Sequence, residues 1–129
     1  MEPTIVTIGG VEYPCRLRIG ELEGLQAKTD FGPELLLMRL QTGEWNVAHL
    51  REIIRFGLIG GGMQHVAALK VVGGLFEYGP YVQFKVPAMQ ILAAALYGPP
   101  DDQVGESEPE PTPAAPNQTE SGGSAPSTP

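Results

Sequence analysis

The side chains able to do covalent, acid–base or metal chemistry are few in this 129-residue chain: one cysteine, Cys15, and two histidines, His49 and His65. A zinc-type centre needs three or four Cys, His or carboxylate ligands at matched spacing. The two histidines fall on different predicted helices, with no second His or Cys three or four residues on. A nucleophilic Cys must be exposed and activated, whereas the strand alternation around Cys15 places it on an apolar face. Glu21 and Glu23 stand two apart and do not share a helix face, so they do not form a paired-carboxylate site. The run Gly57–Gly62, GLIGGG, lacks the Lys-Ser or Lys-Thr of a phosphate loop and follows a helix where such a loop follows a strand; it is read as a helix-breaking loop. No catalytic, cofactor-binding or metal-binding residue is therefore assigned, and the chain is expected not to be an enzyme.

Two features exceed what a core alone asks for. Leu35, Leu36, Leu37, Met38 and Leu40 are interrupted only by Arg39, covering more of a helix than one buried stripe requires. Phe76, Tyr78, Tyr81 and Phe84 cluster around Gly79-Pro80, where aromatic rings either pack a corner or anchor an interface. The partner-binding candidates are Leu36, Leu37, Phe76, Tyr78, Tyr81 and Phe84, with core packing as the alternative for each group.

The elements that position these residues can be read in order. Thr4 to Ile8 and Val11 to Arg18 are rich in β-branched residues and flank Gly9-Gly10, which suits the two positive φ values of a type I′ turn. That turn pairs Ile8 with Val11 and Ile5 with Pro14. It puts Val6, Ile8, Val11, Tyr13, Cys15 and Leu17 on one face, and leaves Pro14 where no ladder N–H is needed. A two-stranded hairpin is marginal alone, so this face must rest on helices. A short helix follows, with Glu21 and Glu23 in its first turn, ended by Asp30-Phe31-Gly32 and weakened by Gly24. Pro33 starts the leucine-rich helix and Gly43 stops it. Asn46 caps the clearest amphipathic helix, with Val47, Leu50, Ile53, Ile54 and Leu58 facing inward; Gly60-Gly61-Gly62 breaks it. A helix from about Gln64 to Tyr78 is expected to bury Val66, Leu69, Val72 and Phe76, with Gly73 and Gly74 allowing a close helix crossing. In the last helix Phe84, Ala88, Ile91, Leu92, Ala95 and Leu96 form the stripe, and Pro87 kinks it or marks its start. The fold class is α+β and mostly helical: an N-terminal β-hairpin, then four or five short helices.

Net charge is −7, and six acidic residues but no Lys or Arg lie between positions 101 and 129. The first hundred residues are close to neutral and lack the basic stripe that a phosphate backbone attracts, so nucleic acid is not expected as a partner. The longest nearly apolar run, Val86 to Tyr97, is too short for a bilayer, and the N-terminus lacks a signal-peptide pattern. A single Cys fits a reducing cytoplasm. Prolines, Ser, Thr, Glu and Gly dominate the end of the chain, with Val104 its only branched aliphatic residue. The expected organisation is a domain over residues 1–98 and an acidic disordered tail over 99–129.

A hairpin with Gly9-Gly10 and Tyr13, the run Leu17-Arg18-Ile19-Gly20 leading to Leu22 and Leu25, and the segment LQTGEWNVAHLREIIRFGL from Leu40 to Leu58 together resemble the tail assembly chaperones of gene transfer agents and related tailed phages. The resemblance covers the folded part. It implies a non-enzymatic protein, cytoplasmic and absent from the mature particle, that binds the tape-measure protein, with the tail-tube protein as a second candidate partner, and keeps the tape measure soluble during tube assembly. The alternative is a structural minor tail or head–tail component of a phage-like particle.

Overall fold

The computed structural model describes residues 2–98. The expected disordered tail, residues 99–129, lies outside the described residues. Strands β1 (Thr4–Ile8) and β2 (Val11–Cys15) form an antiparallel hairpin, followed by helices α1 (Ile19–Thr29), α2 (Pro33–Thr42), α3 (Val47–Gly60) and α4 (His65–Leu75), a 3₁₀ turn at Tyr81–Phe84, and α5 (Lys85–Tyr97). The α+β class and the helix count agree with the sequence reading.

Hairpin register is the one that the glycine pair dictates: Ile8 faces Val11, Val6 faces Tyr13, and Ile5 faces Pro14. Gly9 and Gly10 have φ of 60° and 84°, a conformation that costs most L-residues strain. Val6, Ile8, Cys15 and Leu17 are buried, while Val11 beside the turn is half exposed. The inner face is covered by α5 against β1 and by α3 against β2.

Helix α3 is the centre of the domain, with α1, α4, α5 and β2 all packed on it. Leu50, Ile53, Ile54 and Leu58 are buried as the periodicity requires, whereas Val47, expected with them, lies exposed in the first turn; the Asn46 side chain accepts the His49 backbone N–H at 3.0 Å, as an N-cap should. At the other end the helix stops at Gly60, the first of the three glycines expected to break it. Gly57, read with them as part of a breaking loop, lies inside the helix, whose last turn rests on the chain leaving β2. The Arg16 backbone N–H donates to the Gly57 carbonyl at 3.0 Å, and Arg16 Nε donates to the Gly60 carbonyl at 2.9 Å. The second bond satisfies a carbonyl that a helix C-terminus leaves open, while the Gly57 carbonyl accepts the Gly61 N–H as well as that of Arg16. A Cβ on Gly60 would collide with the Arg16 carbonyl, and one on Gly61 with that of Pro14, so glycine is required there by close approach. Gly24, read as a weakness of α1, has the same use: a Cβ there would stand 2.6 Å from the Phe56 ring of α3. Gly73 and Gly74 provide no close crossing, since nothing lies within 4 Å of a Cβ at either.

Helix α2 begins at Pro33 and ends in a Schellman motif. Gly43 has φ 81°, its N–H reaches the Leu40 carbonyl, and the Glu44 N–H reaches that of Arg39 at 2.8 Å. Helix α5 starts only at Lys85, which puts Pro87 in its first turn, where no helical hydrogen bond is lost; Pro87 marks the start and does not kink the helix.

Candidate functional site

The chemistry-bearing residues are placed first. Cys15 is buried, and desolvation pushes its thiol up to about 12, so it is held as the unreactive thiol. His49 is buried; its Nδ1 has no hydrogen-bond partner among the described residues and its ring meets Phe31 edge-on at 5.4 Å. Burial, reinforced by the nearby Arg39 guanidinium, lowers its pKa. Arg39 in turn lies 4.9 Å from the centre of the Phe31 ring. Glu21 is bound at the start of α1, accepting the Arg18 backbone N–H at 2.8 Å and both guanidinium bonds, which hold its carboxyl below the usual range. Glu52, three residues after His49, is taken by Arg55 at 2.6 Å. Among the described residues no group of three or more His, Cys, Asp or Glu is gathered as a metal site would need.

The partner-binding candidates divide. Phe84 is fully buried and stacks on Phe76 at 4.3 Å, and Phe76 stacks on Tyr81 at 6.3 Å. These three rings pack the corner between α4 and α5. Tyr78 stands 73% exposed, and Tyr81, although stacked on Phe76, is exposed along its outer side. On α2, Leu36 and Leu37 belong to the core, and the exposed apolar side chains are their neighbours Leu35 and Met38. The leucine surplus is real, but the helix is rotated so that a different pair carries it.

Leu35 and Met38 open onto a cleft between α2 and α5. Its larger part, about 500 Å³, runs from Glu34 past Met38 to Tyr97. An adjoining part of about 300 Å³ continues along Val86, Met89 and Ala93, and the two share Leu37, Gln41 and Tyr97. Leu37 forms the floor while Tyr97 and Val86 stand well exposed at the margins. An open, mostly apolar groove between two helices suits an apolar helix face better than a small polar substrate. Sequence reasoning missed Leu35, Met38, Val86, Met89 and Tyr97; the only available signal was the apolar surplus on α2.

A family model described as a phage tail tube protein, GTA-gp10, matches residues 4–98, from the first residue of β1 to the end of α5. The chain belongs to this family. Membership in the GTA-gp10 family places it among gene-transfer-agent and phage tail proteins, as the resemblance implied; the family's description is of a tail tube protein and not of an assembly chaperone. The match covers every strand and helix described above. No match was found among curated proteins or among solved structures.

Proposed function

We propose that this protein is a non-enzymatic structural component of the tail of a phage-like particle, assembled in the cytoplasm of the producing cell and associated with the tail tube. The observation that carries the reading is the family match across residues 4–98. An apolar cleft left open on the domain agrees with a protein that works by packing against other proteins. No helix among the described residues is long and apolar enough to cross a membrane.

The second reading is the chaperone that binds the tape-measure protein and leaves before the particle is finished. What favours it is the cleft, which has the form of a groove for an apolar helix. Purified particles separate the two. Quantitative mass spectrometry is expected to find the chain in fixed ratio to the tail-tube protein; its absence from particles, together with co-purification with the tape measure from cell extract, would overturn the structural reading in favour of the chaperone.

A further inference from the structure

Helix α4 is turned differently from its expected orientation, and the difference exposes a second apolar surface. The helix packs on α3 through Ala68 and Val72, while Val66 and Leu69, expected in the core, are 66% and 62% exposed. Val66, Leu69 and Gly73 fall at i, i+3 and i+7, on one face, and a Cβ at Gly73 would meet nothing within 4 Å. With Lys70 beside them at i+4 from Val66, they make an apolar ridge edged by one cation, and among the described residues nothing packs over it. Among the described residues the α2–α5 cleft is likewise an open apolar furrow.

The two surfaces match in length, chemistry and charge. Helix α4 has 11 residues, about 16 Å at 1.5 Å per residue, and the α5 wall of the cleft from Val86 to Tyr97 has the same extent. Helix α4 contains no acidic residue; its ionisable side chains are His65 and Lys70, both exposed. The ionisable carboxylate on the cleft is Glu34. Among the described residues neither Glu34 nor Lys70 has an ion pair within its own chain. A single copy cannot fill its own cleft with α4, because Ala68 and Val72 hold that helix on α3.

We propose that α4 of one copy seats in the α2–α5 cleft of the next, so that the chain associates with itself head to tail. Two different surfaces meet at each junction, which makes the contact heterologous: it closes into a ring or extends into a filament. This goes beyond the tail reading and does not depend on it, since it concerns the purified chain alone.

The test is the molar mass of the full chain by sedimentation velocity over a wide range of concentration. Mass is expected to rise with concentration. Leu69→Glu on the ridge and Met38→Glu in the cleft should each hold the chain at monomer mass, and because both side chains are exposed, circular dichroism should show both variants folded. Mixed in equal amounts, the two variants retain one intact junction, α4 of Met38→Glu in the cleft of Leu69→Glu, and should give dimers and nothing larger. Glu34→Lys and Lys70→Glu should each weaken assembly, and the double variant should recover it. A wild-type chain monomeric throughout, assembly indifferent to both glutamates, or a mixture that stays monomeric overturns the proposal. So does a monomeric chain whose cleft binds tape-measure protein and loses it on Met38→Glu, which assigns the cleft to that partner.

Discussion

One methyl group distinguishes the two kinds of glycine in this domain. Gly60→Ala drives a Cβ into the Arg16 carbonyl, where backbone and not a flexible side chain must yield; a loss of about 3 kcal/mol or more is expected in urea unfolding, at the upper end of single-site effects. Gly73→Ala meets open space inside a helix and should gain about 0.5–1 kcal/mol. His49 gives a pH signature. Its pKa is depressed in the folded state by burial and by Arg39, so the unfolded chain, titrating near about 6.5, takes up the proton first. Stability is therefore undiminished above that pH and falls as the pH drops through it toward the folded-state value. Urea midpoints at neutral and mildly acid pH should move further apart in wild type than in His49→Gln; equal separations would show that this imidazole is not the group responsible.

At the scale of elements, legibility followed the distance over which a signal acts. The hairpin register was readable because Gly9-Gly10 fixes the turn and the alternation fixes the faces, both within a dozen residues. The ends of α2 and the start of α3 were equally local, set by Pro33, Gly43 and Asn46. Asn46→Ala should cost about 1 kcal/mol through the lost cap, measured by thermal melting, with no change elsewhere in the domain. The orientation of α4 was not readable. With Val66, Ala67, Ala68, Leu69, Val71 and Val72 in one helix, apolar residues point in almost every direction and periodicity cannot choose between Val66/Leu69 and Ala68/Val72. The choice is made by α3 and the hairpin turn, where a Cβ on Gly9 would stand 2.7 Å from Leu75. The same holds for α2, whose leucine run announced a surplus without saying which members it exposes. Gly60 was read as a helix stop, which it is, but its close approach to the backbone was not legible because the constraint, Arg16, lies 44 residues away.

Across the whole domain, the decisive contact joins its two ends. Helix α5, the last element, packs on β1, the first, as well as on α2 and α3, and Ile91 fills the space over Gly57. A chain cut after residue 83 keeps both strands and four helices yet leaves Val6, Ile8 and the α5 side of α3 uncovered; it is expected to lose cooperative unfolding, read as a broad, shallow thermal transition. A sharp transition in that fragment would show that α5 is an addition to a domain already complete.

That closure also sets a clock for the protein's birth. The hairpin is synthesised first, but the helix that roofs it is not begun until Lys85, roughly seventy residues later, which at about 5–20 residues per second is on the order of 4–14 s. Helix α3 can cover the β2 side once it is made, but the β1 side stays without its own helix for the whole of that interval.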